Sequence, residues 1–207
     1  ILASALMNIS HSDFVKSFEI IIQLGAILSV VVLYWRQLLN IENIKKILFA
    51  FIPTGIIGLV LYKIIKTYFL GNQAVVLWSL LIGGVALIVF EFWHKKQIDK
   101  YTNKVTNNLE GNPENISATG SISQISYKQS FLIGLCQAVA VIPGISRSAA
   151  TIVGGLLVGL KRTTVVEFSF LLAIPTMLAA SGLDIIKNVH AFSSDQFGVL
   201  AVGFLVS

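Results

Sequence analysis

Six stretches of this chain run almost without charge, and they decide which solvent it can fold in. They are Ile20–Tyr34, Ile47–Tyr62, Ala74–Phe92, Phe131–Ile142, Ala149–Leu160 and Phe168–Leu183. A helix needs roughly 20 apolar residues to cross the hydrocarbon of a bilayer. Ala74–Phe92 reaches that length with Glu91 at its margin, and Phe168–Leu183 reaches it once Val165 and Val166 are added. Ile20–Tyr34 needs Phe18 and Trp35, and Ile47–Tyr62 is slightly short unless lysines snorkel at its ends. Buried helices of a large soluble protein would leave polar faces somewhere between such runs, and none appears. Charged residues are 12% of the chain against 55% hydrophobic, where a soluble domain carries about 25% charged. The runs predict an all-α integral membrane protein, a polytopic helical bundle in one membrane domain over residues 1–207.

The charges sit in short loops between the runs, so the net charge of +5 reads as a solvated loop face and not as a nucleic-acid surface. Trp93–Ser130 is the long polar loop. Its middle, Thr102–Gln129, is rich in Asn, Ser, Gly and Lys and is expected to be a solvated, mobile connection between two membrane halves. Cys136 is the sole cysteine and is expected to pack inertly. The chain starts at Ile1 in apolar sequence and ends after the ten-residue run Phe197–Val206, so further helices are expected on both sides.

Phe131–Ile142 and Ala149–Leu160 are each too short to span. Between them lies Pro143-Gly144-Ile145-Ser146-Arg147-Ser148. The pair is either one broken span or a re-entrant hairpin. Non-helical backbone at membrane depth persists only inside protein or beside a water-filled cavity, so both alternatives imply a polar pocket. With a hairpin, Arg36, Lys45, Lys46, Lys95, Lys96, Lys100, Lys104, Lys128, Lys161 and Arg162 fall on one side, against Lys16, Lys63, Lys66 and Lys187 on the other, ten to four. A broken span gives nine to five. Either split places the 93–130 loop in the cytoplasm.

Arg147 is the residue that needs a reason. An arginine at the membrane centre costs at least about 2.5–3.5 kcal/mol on insertion scales. Pro143-Gly144 breaks the helix, and the next helix is expected to start near Ser146 or Ser148, with its first N–H groups directed into the break. Ser146 and Ser148 can serve simply as N-caps. Capping does not explain a cation at the positive end of a helix dipole, and a bound anion does. Gly144, Ser146, Arg147, Ser148 and Thr151 are therefore the candidate phosphate-binding set, with Ser146, Arg147 and Thr151 as the candidate catalytic residues.

The string from Gln137 to Ile152, QAVAVIPGISRSAATI, resembles the second signature of the undecaprenyl-diphosphate phosphatase, or bacitracin-resistance, family. Glu167-Phe168-Ser169-Phe170-Leu171-Leu172-Ala173-Ile174-Pro175 resembles the segment that follows it there. Phe18–Leu28 and Tyr34-Trp35-Arg36 are similar to that family's early helix and its end. The resemblance covers essentially the whole chain. It implies hydrolysis of a C55 polyprenyl diphosphate to the monophosphate, which recycles the carrier for peptidoglycan synthesis and confers bacitracin resistance. It implies a helical fold with inverted repeats and re-entrant hairpins, in the bacterial cytoplasmic membrane with the site open to the outer face. It also implies a divalent metal, Mg or Ca, and allows a homodimer. The family's other signature, a Glu-rich stretch ending in Ser-Ser-x-Gly-His, would supply carboxylates, a second serine pair and a histidine. It does not occur in this sequence. A transporter or flippase of polyprenyl phosphate is the competing reading, since it would bind the same headgroup.

The other polar residues read as structure. His11, His94 and His190 lie at or beyond run ends without metal-ligand spacing. Glu19 and Glu167 read as carboxylates near helix N-termini, with a pocket or salt-bridge role as the alternative. Trp35, Trp93, Tyr34, Tyr62 and Tyr68 form an aromatic belt. Gly155 and Gly159 make a small-xxx-small spacing for close helix packing. Asn8 and Asn115 begin sequons that carry little weight in a chain resembling a bacterial protein.

Overall fold

Helix follows helix along the whole described chain. The computed structural model describes residues 13–64, 73–106, 122–187 and 197–206, and no strand occurs among them. The elements are α1 (Asp13–Leu33), a one-turn α2 (Trp35–Leu38), α3 (Ile41–Ile64), α4 (Gln73–Thr106), α5 (Tyr127–Ala138), α6 (Arg147–Leu157), α7 (Arg162–Lys187) and α8 (Phe197–Val206). Within α3, α4 and α7, the segments Ile41–Tyr62, Ala74–Lys96 and Arg162–Leu183 are long and apolar enough to cross a membrane. Many large apolar side chains point outward, among them Val32, Val60, Ile82 and Phe92. An outer surface of that kind is stable against lipid, and the chain is a multi-pass membrane protein.

The core lies where α3, α5, α6 and α7 meet. Ile47, Ala50, Ile133, Val165, Phe168, Leu171 and Leu172 are buried there. Helices α3 and α5 approach to backbone contact: a Cβ on Gly134 would overlap the Ala50 carbonyl. The Thr54 hydroxyl donates to the Gly134 carbonyl across the same contact at 2.7 Å. Close approach through a small residue is how helices gain packing without a hydrophobic drive between them.

Helices α5 and α6 fold back on each other. Ser126 caps α5 in a reciprocal box with Gln129, and the free end of the Gln129 amide donates to the Val158 carbonyl at the end of α6, at 3.1 Å. The start of one helix thus lies beside the finish of the other. Gly154 of α6 packs on the side chain of Cys136 of α5, which gives the lone cysteine its packing role. Gly155 packs on Val165 of α7. Gly159 does something else: it sits at φ +82°, and the Gly159 and Leu160 N–H groups return to the Leu156 and Gly155 carbonyls. That is a Schellman stop of α6. The small residues at the helix contacts are therefore the adjacent pair Gly154 and Gly155, and the expected spacing of Gly155 with Gly159 is corrected.

The loop expected over 93–130 is shorter than its polarity suggested. Helix α4 continues through Thr106, because nothing in Trp93–Thr106 is Gly or Pro and its Lys, Gln and Asp tolerate a solvated helix. At the other end Ile122 and Ile125 are buried in the core, and Lys46, only 6% exposed, donates to the Ser123 carbonyl. Apolar anchors at two positions fasten a segment that composition alone read as mobile. Residues 107–121 lie outside the described residues, as do Asn8, His11, Tyr68, Asn115 and His190.

The Gly134 contact gives a direct test. Gly134→Ala should lower the stability of the protein in detergent by about 1–3 kcal/mol, the usual scale for overpacking, because its new methyl meets backbone rather than a side chain that can swing aside. Thermal unfolding of the purified variant beside Gly58→Ala, whose Cβ would meet nothing within 4 Å, measures it.

Candidate functional site

The break between α5 and α6 is a built turn. After the short 3₁₀ turn Val139–Val141, the Ile145 N–H donates to the Ile142 carbonyl at 3.2 Å, with Pro143 and Gly144 between them. Gly144 stands at φ +98°. Proline then glycine with positive φ at the two central positions is a type II turn, for which Pro presets the first residue and Gly alone takes the second without strain. Gly144 is fixed on a second count. A Cβ there would come within 2.7 Å of the Val76 carbonyl and 2.9 Å of Ser79 Cβ on α4. The turn is pressed against the first turns of α4.

Ser146 follows in extended conformation as the N-cap of α6, and its hydroxyl accepts from the Ala149 N–H at 3.3 Å. The Ala150 N–H donates to the Ser146 carbonyl. The first two N–H groups of α6, those of Arg147 and Ser148, have no carbonyl a turn earlier inside the helix. Ser146 and Ser148 are both exposed, their hydroxyls 3.2 Å apart. Arg147 is partly buried at the first helical position. The ion pairs among the described residues are Lys45 with Glu42 and Arg162 with Glu91. Arg147 takes part in neither, and its guanidinium donates to no acceptor among the described residues. Gly144, Ser146, Arg147 and Ser148 thus follow one another through the turn into the first residues of α6, a short stretch holding a cation, two hydroxyls 3.2 Å apart and two N–H groups. That arrangement suits a tetrahedral polyanion.

Thr151 does not join them. It is 1% exposed, and its hydroxyl lies 2.8 Å from the Ser148 carbonyl, 3.1 Å from the Arg147 carbonyl and 2.5 Å from the Ser169 hydroxyl of α7. One turn below Arg147, it faces α7, because residues four apart in a helix share a side only approximately and the N-terminal residue opens outward. The expectation of a direct phosphate contact is corrected for this geometry: Thr151 locks α6 to α7 and thereby holds the turn that carries Arg147.

Ser79 and Gln137 gave no signal from spacing. Ser79 is the lone hydroxyl of the run Ala74–Phe92 and meets Gly144; its isolation in apolar sequence was the available cue. Gln137, 1% exposed, reaches Thr54 with its Nε2 at 3.4 Å, while its Oε1 has no partner among the described residues. Glu167 lies in the second turn of α7, which begins at Arg162, and accepts from Gln37 Nε2 at 3.3 Å. It is a helix-to-helix link and not a carboxylate at a helix N-terminus. Glu19 likewise falls beyond the first turn of α1. The His94 ring stacks on Phe90 with centroids 5.6 Å apart. A separate concavity lined by Leu33–Gln37 belongs to a single bend of chain away from Arg147 in sequence, and it shares no lining residue with that stretch.

The fold and this turn define a helical, multi-pass membrane protein with an arginine that has no counter-charge among the described residues at a break between two helices. The sequence model of the bacitracin resistance protein BacA family matches residues 1–207, and the chain belongs to that family. Among its relatives, the undecaprenyl-diphosphatase of Aquifex aeolicus (strain VF5) is 46% identical over 208 residues, covering all of this chain and 74% of that protein. Those of Sulfurihydrogenibium sp. (strain YO3AOP1) and Wolinella succinogenes are 46% and 43% identical, again over all of this chain and 74% and 73% of theirs.

The Thr151 lock separates structure from binding. Thr151→Val keeps the shape but strands the Ser169 hydroxyl, and should lower stability by about 1–3 kcal/mol. Thr151→Ser should restore most of it. Unfolding midpoints of the two variants in detergent are the measurement; equal midpoints for Val and Ser would contradict the lock.

Proposed function

We propose that the patch at the start of α6 binds the diphosphate of undecaprenyl diphosphate, and that the protein hydrolyses this lipid to undecaprenyl phosphate and inorganic phosphate. The observation that carries the reading is Arg147, a cation among apolar helices with no protein counter-charge among the described residues. Membership of the BacA family and relatives that bear the name undecaprenyl-diphosphatase support the same reaction. Nothing in the geometry favours transport over hydrolysis.

In this reaction water attacks the terminal phosphorus and the bridging P–O bond breaks, leaving the inner phosphate on the lipid. Negative charge spreads over the oxygens of the transferred group. Arg147 can grip two of them with its planar fork. The Arg147 and Ser148 N–H groups and the Ser146 and Ser148 hydroxyls supply further donors, fixed in place by the cap on Ala149 and the turn at Gly144. Donors preorganised at the point where charge develops lower the barrier without rearranging during the reaction. A divalent ion, when bound, would neutralise phosphate charge. The residues around Arg147 do not fit one: they are hydroxyls, N–H donors and a cation, and no group of three His, Cys, Asp or Glu able to hold a metal occurs among the described residues.

The same reading places the protein in the bacterial cytoplasmic membrane, with residues 93–130 on the cytoplasmic side and the Arg147 patch open to the outer face. The α5–α6 pair would be a re-entrant hairpin within an inverted-repeat fold. Two short helices folded back on each other, joined by a polar turn, support this, as does the loop-charge asymmetry.

In the full-length protein, Arg147→Ala should cut phosphate release on the order of a hundredfold or more, the effect of losing two charge-assisted bonds. Arg147→Lys should recover little, since an ammonium lacks the fork. Phosphate release from undecaprenyl diphosphate in detergent measures both, and turnover close to wild type in a folded Arg147→Ala protein overturns the assignment.

A further inference from the structure

A groove lies along the flank of α6, with Ala149, two residues past Arg147, as its first lining residue on that helix. Leu87 and Ile88 of α4 form one wall, and Ala149, Ile152, Val153 and Leu156 form the other. The α6 residues are spaced i, i+3, i+4 and i+7, which is a single helical stripe, about 10 Å long at 1.5 Å per residue. The groove holds about 320 Å³, at the lower end of the range of about 300–1,000 Å³ usual for small-molecule sites.

Its two ends are fixed. At one end, Gly144 presses on Val76 and Ser79 of α4. At the other, Arg162 makes a two-pronged pair with Glu91, at 2.8 and 2.7 Å. Helix α4 is thus held to the turn before α6 and to the start of α7, and only 6% of its candidate span is buried inside the protein.

We propose that this groove takes the isoprenoid segment nearest the diphosphate. The inference rests on the phosphate reading of Arg147 and extends it. A headgroup held by Ser148 and the first N–H groups of α6 must send its tail away from them. Ala149, which lines the groove, is the next residue after Ser148, with Cα atoms about 3.8 Å apart. The apolar stripe that begins there leads the chain down α6 towards the Glu91–Arg162 pin. The tail is bound by apolar contact alone, and its remaining units continue into the lipid.

The test uses the purified full-length protein in detergent with added phospholipid. A photoreactive benzoylphenylalanine replaces Ile88, Val153 or, as a control on the same helix but outside the groove, Val89. Irradiation with radiolabelled undecaprenyl diphosphate should label the Ile88 and Val153 positions and not Val89, with excess unlabelled lipid abolishing the signal. Arg147→Ala should weaken that labelling, because the head no longer anchors the tail. In parallel, Ile88→Trp should lower kcat/KM for undecaprenyl diphosphate by roughly tenfold or more, the scale of a size mismatch in an apolar pocket, chiefly through KM. Labelling of phospholipid alone at Ile88 and Val153 makes the groove a bulk-lipid contact and overturns the proposal. So does an absence of any lipid adduct, as when another segment of a longer chain or a second copy fills the space. If Arg147→Ala is inactive while the groove positions stay unlabelled, the tail proposal falls and the phosphate reading stands. If Arg147→Ala keeps full turnover, the phosphate reading falls, and the tail proposal falls with it.

Discussion

A peptide N–H or C=O left unpaired in hydrocarbon costs several kcal/mol, and the interruptions of helix in this protein are arranged around that cost. At the break between α5 and α6, Ile142 and Ile145 return their N–H groups to carbonyls three residues back, and Pro143 has no N–H to place. Ser146 then serves α6 twice, through its hydroxyl to Ala149 and its carbonyl to Ala150. At the far end of α6, Gly159 and Leu160 close the helix on itself, and Gln129 takes the Val158 carbonyl. After all this, the N–H groups that open α6 remain, at Arg147 and Ser148. These open donors flank Arg147, a partly buried arginine that takes part in neither ion pair among the described residues.

The sequence showed most of this because its strongest signals were physical necessities. Apolar runs of membrane length had to be helices, and Pro143-Gly144 inside one had to be a break. Arg147 among apolar residues had to have an anion or a pocket. Residue chemistry offered Ser146 or Ser148 as the N-cap, and the structure takes Ser146. What stayed hidden depended on partners distant in the chain. Thr151 carries the same hydroxyl whether it faces a ligand or Ser169, and only the packing of α6 on α7 decides between them. Gly155 and Gly159 share a spacing, yet one meets Val165 and the other stops a helix. Ile122 and Ile125 are two apolar residues in a polar stretch, too few to raise a periodic signal, though both reach the core. The extent of α4 past Trp93 was missed because a solvated helix and a polar loop have similar composition.

Two cations among the packed helices show why burial alone does not mark a site. Lys46 is nearly inaccessible, but the Ser123 carbonyl receives its ammonium, and the segment bearing Ser123 is held by Ile122 and Ile125 on either side. Its charge is met by a fold element built for the purpose, so it needs no ligand. Arg147 is less buried than Lys46 and still the better candidate, because its guanidinium has no acceptor partner among the described residues. Placing a guanidinium beside two open N–H groups and two hydroxyls raises the local positive potential. The guanidinium and the open N–H groups share one sign of potential, so a bound anion gains from both. The Gln137 Oε1, unpaired among the described residues and on the same hairpin but facing Thr54, has the opposite polarity and cannot relieve Arg147 from there. The start of α6 is held by the Gly144 contact with α4 and the Thr151 lock to α7, two contacts that carry no charge themselves. They keep the donors aimed while the groove beside them, lined by apolar side chains, leaves the anion's tail its way out.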